Sequence, residues 1–308
     1  SVPAKADQHM RTLSDNIHSA MLATAASLVF TINDGLMKYI LAEFDLFVSL
    51  AIRGLFAVPM LVFFYLYEKN LFVRLSRRDS LLLCGRAAGE MGLTYCLLTA
   101  LIQMPLATLT ALLQSSPLFL SLVAFIFFGE RFGWRRWVTL GVGYLGVLII
   151  IRPSETVPLS AALFGLATVI FIVIRDCLAR LLSDEVPTLL PAFVNVIAVM
   201  IFAFVMTSAM PHSWSMGSWS HMMIGAYFGA AITIIVANML IVGMMRKGDI
   251  GFVSQFRYSA ILFSLIAGYL MFDEWPDMPT FFGAVLIIGA GLYSFYRERK
   301  HQSKTAGA

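Results

Sequence analysis

Charged residues are scarce in this sequence, and residues suited to holding a metal inside a membrane are scarcer still. Only 13% of the 308 residues are Asp, Glu, Lys or Arg, whereas a soluble domain carries about 25%. The three cysteines lie inside apolar segments without metal-ligand spacing, and the five histidines lie in the tails or near helix ends. The sequence has no Walker-type phosphate loop. A soluble enzyme, a metal or haem site, any other cofactor and ATP-driven transport are therefore not expected.

Apolar residues make up 59% of the chain and fall into ten runs of about twenty residues each. At a rise of about 1.5 Å per residue, each run can cross a hydrocarbon core of about 30 Å. The sequence therefore predicts an all-α polytopic membrane protein embedded in the lipid bilayer, with no nucleic-acid partner. The predicted transmembrane helices cover residues 18–40, 46–67, 79–101, 105–128, 134–152, 158–181, 188–209, 220–243, 249–272 and 278–297.

Lysine and arginine residues in the predicted loops lie almost entirely on one side of the membrane. If the N-terminus is cytoplasmic, Arg152 is the one basic loop residue on the outer side. Because basic loops stay in the cytoplasm, both termini are predicted to be cytoplasmic. The polar tails are residues 1–17 and 298–308, and the first is expected to be disordered or to lie on the membrane surface. The expected location is the plasma membrane, which is the inner membrane in a bacterium.

The second half of the sequence repeats the pattern of the first at an offset of 144 residues. Phe128 corresponds to Phe272, and Glu130 corresponds to Glu274. Because each unit contains an odd number of helices, the second unit must enter the membrane from the opposite face. This predicts an inverted-topology 5+5 repeat with a substrate cavity near the midplane between the two halves. The two predicted five-helix units are residues 18–152 and 158–297.

Several short motifs of the sequence resemble those of one transporter family. They are Lys38, Arg53, Arg86, Pro105-Leu106-Ala107, Ser116-Pro117-Leu118-Phe119, Gly129-Glu130-Arg131, Trp137 and the run from Gly146 to Pro153. With these motifs the chain resembles the EamA-type branch of the drug/metabolite transporter superfamily over nearly its whole length. The resemblance implies export or exchange of small organic solutes, such as amino acids, other metabolites, drugs or nucleotide sugars. It also implies that helices 1–4 and 6–9 surround the cavity and that helices 5 and 10 pack behind them.

Ionisable residues at bilayer depth cost about 2.5–3.5 kcal/mol on insertion scales, so each one needs a partner or a function. Glu90 and Arg86 lie four residues apart on one face of helix 3. In one interpretation they line the cavity, where Glu90 takes a proton or the amino group of the substrate and Arg86 binds a carboxylate. In the other they form an intrahelical salt bridge that only neutralises both charges. Arg257 is the most isolated cation, and its candidate partners are Glu90, Asp176 or a substrate carboxylate.

Two further charged groups are candidates for gates or for structural ion pairs. Asp34 and Lys38 lie one helical turn apart near the outer end of helix 1, and Arg53 lies at a similar depth on helix 2. Arg175 and Asp176 lie towards the inner end of helix 6, at the mirror position in the repeat. Each group is interpreted either as a gate that opens and closes during transport or as a structural cluster, in which Lys38 extends outward.

Polar, aromatic and proline residues supply the remaining candidates. Gln114 and Tyr258 occupy matching repeat positions and are expected to face the cavity, although polar residues of this kind also serve helix packing. Proline frees a backbone carbonyl, so Pro59 and Pro117 are candidate hinges or passive kinks. Ile261 stands opposite Pro117 in the repeat, so helix 4 is expected to bend where helix 9 does not. The weaker cavity candidates are Tyr95, Phe119, Asn195, Tyr227 and Asn238.

These features together predict a secondary transporter that works by alternating access. A mostly neutral, aromatic-lined cavity favours export of apolar or aromatic amino acids, or of related metabolites. The alternative on the same scaffold is a proton-coupled exporter of drugs or organic cations, and a facilitator without ion coupling also remains open. An enzyme would need a nucleophile–base or metal cluster at one depth, and the sequence offers none. Both a monomer and a homodimer are compatible with the sequence.

Overall fold

The structure is a computed structural model that describes residues 2–67, 75–128, 134–152, 157–183, 185–187, 190–209, 219–247 and 255–305. The described part of the chain is almost entirely helical. Its α-helices, numbered in chain order, are α1 (Val2–Leu41), α2 (Leu46–Tyr67), α3 (Arg77–Gln103), α4 (Leu106–Leu113), α5 (Ser116–Phe128), α6 (Trp134–Ile151), α7 (Leu159–Arg180), α8 (Leu190–Ala209), α9 (His221–Lys247), α10 (Ser259–Phe272) and α11 (Met278–Thr305).

The ten predicted apolar segments are all present as helices in the described residues. Seven helical segments are long and apolar enough to cross a membrane, and three shorter apolar ones accompany them. Many large apolar side chains on the outside of the bundle are exposed, as on a surface that faces lipid; Leu81, Leu270 and Phe63 are each at least two-thirds exposed. The prediction of an all-α polytopic membrane protein is confirmed.

The two ends of the chain extend their neighbouring helices further than predicted. Helix α1 begins at Val2, so the backbone of residues 2–17 continues the first helix, where the sequence predicted a disordered or surface-bound tail. Helix α11 likewise runs to Thr305. The continuous apolar pattern begins only at residue 18. The polar residues before it contain no glycine, and their one proline, Pro3, lies in the first turn, where proline is tolerated, so they can extend a helix that is already nucleated.

Helix 4 of the prediction is interrupted at Gln114 and Ser115, between α4 and α5. Pro117 follows the interruption, and a proline there cannot donate a hydrogen bond to the carbonyl four residues earlier. Ser115 fills part of the gap, because its hydroxyl donates to the Leu112 carbonyl at 2.6 Å. Pro59 behaves differently, since α2 continues through it as one helix.

The expectation that helix 9 stays regular where helix 4 bends is wrong. The described part of helix 9 opens as a 3₁₀ turn, Gln255–Tyr258, and becomes α-helical only at Ser259. In the repeat, Gln114 corresponds to Tyr258, so both helices change geometry at matching positions. Ile261, opposite Pro117, therefore does not predict a regular helix, because the irregularity precedes it.

The helices pack in pairs around the interior. Helix α1 packs along α9, α3 along α7, α2 along α8 and α6 along α11. Buried alanines, such as Ala23 in α1 and Ala230 in α9, allow close approach of helix backbones, as in other membrane bundles. One apolar core joins α1, α2, α3, α4, α7, α8 and α9, and a second joins α4, α5, α6, α7, α10 and α11.

Helices α6 and α11 make their contact through glycine. A Cβ atom placed on Gly146 would lie 2.7 Å from the Gly283 carbonyl oxygen, and one on Gly283 would lie 2.8 Å from the Gly146 carbonyl oxygen. The two backbones therefore touch, so these glycines serve packing. Gly141 and Gly289, on the same two helices, have open space beside them and play no such role.

Candidate functional site

An ionic cluster at the contact between α3 and α7 is the centre of the candidate site. Arg175 Nη1 lies 3.3 Å from Glu90 Oε2, and its Nε and Nη2 each lie 3.0 Å from Asp176 Oδ1. All three side chains are partly buried, with 20–34% of their surface exposed. Gly92 helps α3 and α7 to approach, because a Cβ atom there would lie 2.6 Å from the Phe171 ring. The structure thus joins Glu90 and the Arg175–Asp176 group, which the sequence treated separately.

Of the two interpretations of Arg86 and Glu90, the intrahelical salt bridge is not formed among the described residues. Glu90 is held instead from two other helices, by Arg175 and by Asn195, whose Nδ2 donates to Glu90 Oε2 at 3.3 Å. Arg86 Nε is buried without a hydrogen-bond partner among the described residues, and Asn195 Oδ1 is in the same situation. Arg86 still lies within electrostatic range of Glu90, Arg175 and Asp176. A spacing of four residues only permits an ion pair, and here a cation on the facing helix competes successfully.

The predicted cluster of Asp34, Lys38 and Arg53 divides into two parts. Lys38 Nζ lies 2.6 Å from Glu274 Oε1, in the loop after α10, and donates to the Met104 carbonyl at 2.8 Å. Asp34 and Arg53 lie within electrostatic range of each other. Among the described residues, however, the two side chains do not form a direct ion pair. Lys38 is near the end of α1, and its long side chain therefore reaches the loop and not the preceding turn.

Glu274 is the residue that the sequence did not single out as a partner for Lys38. Its second carboxylate oxygen accepts a hydrogen bond of 3.1 Å from the Leu106 backbone, at the start of α4. Glu274 thereby ties α1, α4 and the loop after α10 together. Its match with Glu130 in the repeat was visible, but the pairing with Lys38 depends on the tertiary fold.

Gln114 and Arg257 connect the two irregular helices. Gln114 Nε2 donates a hydrogen bond of 2.8 Å to the Arg257 carbonyl oxygen. Ser27 of α1 donates to the same oxygen at 3.5 Å. The Arg257 side chain is exposed, and within the described residues its guanidinium forms no ion pair, although Asp176 and Arg175 lie within electrostatic range. Hydrogen bonds therefore hold the Arg257 backbone, whereas its guanidinium group has no ion-pair partner among the described residues.

Three of the residues predicted to face the cavity have other environments. The ring end of Tyr258 lies directly against Gly291 of α11. Phe119 packs edge-on against Tyr144 of α6, with ring centroids 5.0 Å apart. Both therefore face helices that the resemblance places behind the cavity. Asn238 Nδ2 donates to the Ile234 carbonyl of its own helix at 2.7 Å, which satisfies the amide locally.

Tyr95 belongs to an aromatic cluster formed by four helices. Its ring stacks on Phe47 of α2 at 5.8 Å and meets Phe164 of α7 edge-on at 6.1 Å. Phe202 of α8 packs edge-on against Phe47 at 5.8 Å. All four side chains are partly exposed. The fourth aromatic candidate, Tyr227, is fully buried and packs against Phe44 and Trp219, so it is part of the core.

Two apolar clefts are lined by none of these candidate residues. One, of about 390 Å³, lies between α6 and α11, and the other, of about 470 Å³, lies between α1 and the start of helix 9. Neither is lined by a charged residue. In the described part of the chain no three His, Cys, Asp or Glu side chains gather as metal ligands. The chemistry of the site therefore rests on the ionic cluster, Arg257 and the aromatic cluster.

The ten apolar segments, described as helices with guanidinium and carboxylate groups between them, are those of a polytopic membrane protein. Residues 18–152 match the EamA-like transporter family, and the chain as a whole is similar to drug/metabolite transporters of that type, whose named relatives align with most of its length. It is therefore an integral protein of the plasma membrane that carries small molecules, and it is not an enzyme.

Named relatives and a solved structure agree with this assignment. The chain is 26% identical to the S-adenosylmethionine uptake transporter of Rickettsia bellii, over 96% of this chain and 98% of that protein. It is also 26% identical to the pseudopaline exporter of Pseudomonas aeruginosa, over 88% and 93% of the two chains. One crystal structure, 15% identical in sequence, superposes with a TM-score of 0.61 over 90% of this chain and 96% of that one, which shows a common fold.

Proposed function

We propose that this transporter exports apolar or aromatic amino acids, or metabolites related to them, by alternating access. The observation that carries the proposal is the bridge from Glu90 on α3 to Arg175 on α7. Charged groups inside a membrane bundle are costly and mark substrate pathways, and this bridge lies among partly exposed side chains of facing helices. Glu90 and Arg175 form the centre of the proposed cavity, together with Asp176, Asn195 and Arg86.

Amino-acid character of the substrate is supported by the neighbouring groups. The interior offers guanidinium and carboxylate groups for the charged end of an amino acid, and the cluster of Phe47, Tyr95, Phe164 and Phe202 offers rings for an apolar or aromatic side chain. The name of the Rickettsia bellii relative supports the same class, since S-adenosylmethionine combines an amino-acid group with a flat base. One relative is named for uptake and another for export. The names of the relatives therefore do not give the direction of transport, and export is part of the proposal.

An inverted repeat, with both termini in the cytoplasm, accounts for the pairing of the helices. In the repeat, α1 corresponds to α7 and α9 corresponds to α3, so the α1–α9 pair and the α3–α7 pair are equivalent. Two capping serines, 144 residues apart, support this. Ser76 Oγ accepts from the Asp79 backbone at 3.0 Å, and Ser220 Oγ accepts from the Met223 backbone at 3.1 Å.

The equivalent interhelical contacts also differ in a way that suits a transporter. Asn33 of α1 matches Arg175 of α7, and it donates at 2.8 Å to the Ala230 carbonyl of α9 and at 3.0 Å to Thr233 Oγ1. The α1–α9 contact is thus neutral, whereas the α3–α7 contact is ionic. We propose that these two helix pairs move against each other, and that bending next to Pro117 in helix 4 accompanies the motion, with Pro59 as a weaker hinge candidate.

The Lys38–Glu274 pair is the proposed outer gate. It joins the end of α1 to the start of α4 and to the loop after α10, and it therefore closes the bundle at one end. Opening that end would separate Lys38 from Glu274. Asp34 lies one turn before Lys38 on α1, and Arg53 of α2 is within electrostatic range of Asp34. In this proposal these two charged residues lie between the gate and the cavity.

Counterflow in proteoliposomes tests the proposal. Vesicles containing the full chain are preloaded in turn with aromatic amino acids, S-adenosylmethionine, nucleosides and lipophilic cations, with and without a pH gradient. Exchange of one amino-acid class, independent of the gradient, is expected. Uptake of lipophilic cations driven by the gradient, without amino-acid exchange, would instead establish the proton-coupled drug exporter. Protein of the same batch carrying Arg175→Gln serves as the control for transport through the proposed cavity.

A further inference from the structure

We infer that Arg257 forms an anion subsite that binds a carboxylate group of the transported solute. The inference rests on the proposed function for the identity of the cargo, but the subsite itself follows from the charges and contacts around helix 9. It assigns the carboxylate to a residue outside the Glu90–Arg175 bridge.

The two carboxylates of the ionic cluster, of which Asp176 is within electrostatic range of Arg257, already have partners. Glu90 Oε2 accepts from both Arg175 and Asn195. Asp176 Oδ1 accepts two contacts of 3.0 Å from Arg175. Because Arg175 engages both acids, neither is free to neutralise a second guanidinium group completely.

The interior consequently holds more positive than negative charge. Among the described residues of the interior, the cations Arg53, Arg86, Arg175 and Arg257 outnumber the anions Asp34, Glu90 and Asp176, while Lys38 and Glu274 neutralise each other. Within the described residues Arg257 has no ion pair, and Arg86 Nε is buried without a hydrogen-bond partner. An unpaired cation inside a membrane bundle is costly, so an anionic ligand has a favourable place to bind. Guanidinium groups suit carboxylates because they can donate two parallel hydrogen bonds.

Hydrogen bonds and helix packing hold the backbone at Arg257, but they do not engage its guanidinium group. Gln114 and Ser27 both donate to the Arg257 carbonyl oxygen, and the 3₁₀ turn that carries Arg257 packs against α1, α10 and α11. The side chain is exposed and lies within electrostatic range of the Arg175–Asp176 pair on α7. A solute between α7 and helix 9 can therefore place its carboxylate at Arg257 and its remaining groups near the ionic cluster.

Binding of two matched probes to the purified full chain tests the subsite. Indole-3-acetate and indole-3-acetamide have nearly the same shape, but only the first carries a carboxylate. The wild type is expected to bind indole-3-acetate at least about tenfold more tightly than the amide, which corresponds to one decade in Kd. Arg257→Gln should remove this preference, Arg257→Lys should retain most of it, and Arg152→Gln, a change to an exposed arginine outside the bundle interior, should leave it unchanged.

Equal binding of both probes to the wild type would overturn the inference. So would a preference that survives in Arg257→Gln, or a loss of affinity for both probes together, since that would indicate a structural role. If Arg257→Gln does not fold, the wild type and Arg257→Lys still test the subsite. A carboxylate preference in the wild type that Arg257→Lys retains would support it. Failure of the proposed function would show differently, as absence of counterflow by a protein that still prefers the carboxylate probe.

Discussion

Lys38 at the end of α1 and Glu274 in the loop after α10 form an ion pair, with Lys38 Nζ 2.6 Å from Glu274 Oε1. The lysine also donates to the Met104 carbonyl, and the Phe272 ring lies 5.4 Å from its ammonium group. Glu274 in turn holds the first backbone N–H of α4. Three separate segments of the chain thus converge on one pair of opposite charges, which are 11% and 24% exposed.

Replacing Glu274 with Gln is expected to destabilise the protein by about 1–3 kcal/mol, between the values for exposed and buried pairs. The amide leaves Lys38 without a counter-charge in a place where water cannot solvate it fully. Thermal unfolding in detergent measures the change, and a double-mutant cycle with Lys38→Met isolates the pair. The exposed Arg152–Asp277 pair is the matched control, and Asp277→Asn should cost less at neutral pH. A coupling energy near zero for Lys38 and Glu274 would contradict their proposed role as a gate.

Replacing Glu90 with Gln is expected to slow exchange at least about tenfold, equivalent to about 1.4 kcal/mol. The substitution removes one of the two carboxylates that hold Arg175. Because Glu90 acts here as a fixed counter-charge, the response to a pH gradient should not change. Initial rates of counterflow, with and without the gradient, measure both quantities.

Arg86→Gln is the comparison for this experiment, since Arg86 forms no ion pair with Glu90 among the described residues. It should leave the Glu90–Arg175 bridge intact and have a smaller effect on exchange. If Glu90→Gln instead exchanged solute normally but lost all dependence on the gradient, Glu90 would be the proton-coupling group and the drug-exporter alternative would gain support.

Replacing Gly146 with Ala is expected to destabilise the contact between α6 and α11 by about 1–3 kcal/mol, the usual cost of overpacking. The added methyl group would lie 2.7 Å from the Gly283 carbonyl oxygen, so the two helices must separate. Gly141→Ala, on the same helix, has no neighbour within 4 Å and should be neutral or slightly stabilising. Melting temperatures of both variants, in one detergent, provide the measurement. Equal melting temperatures would show that α6 and α11 are not in backbone contact.

Asp277 gives the protein one acid-sensitive contact outside the membrane spans. Burial raises its pKa, but hydrogen bonds from Thr280 and Arg152 outweigh burial and hold the pKa below its ordinary value. Because the folded pKa is depressed, the stabilising contribution is complete above the unfolded pKa of about 3.9 and is lost as the pH falls through the lower folded value. Unfolding measured from pH 6 downward should therefore show a smaller acid-dependent loss in Asp277→Asn than in the wild type. An identical loss in both proteins would exclude this contact as a contributor.

The sequence predicted the helices well because hydropathy alone determines which segments can cross a bilayer. The break at Gln114 was predicted only as a bend near Pro117, and the 3₁₀ turn before Ser259 was not predicted, since no proline marks it in the described segment. Those features depend on contacts between helices, such as the hydrogen bond from Gln114 to the Arg257 carbonyl.

The candidate site was predicted less well, for a physical reason. Spacing along one helix shows which residues share a face, but it does not show which helix lies opposite. Glu90 therefore was matched with Arg86, although Arg175 on α7 is its partner. Lys38 was matched with Asp34, although Glu274 is its partner. The choice of residue types was sound, and the partners depended on the packing of α3 on α7 and of α1 near the loop after α10.

In the proposed transport cycle, the α1–α9 pair and the α3–α7 pair move against each other to open the two ends of the bundle in turn. Distances between spin labels test it, after replacement of Cys84, Cys96 and Cys177. Labels at Ala42 and Leu159 report one end of the bundle, and labels at Met21 and Arg78 report the other; all four positions are exposed. A transported solute is expected to change the two distances in opposite directions. Two distances that widen or narrow together, or that stay fixed while the same protein catalyses counterflow, would contradict it.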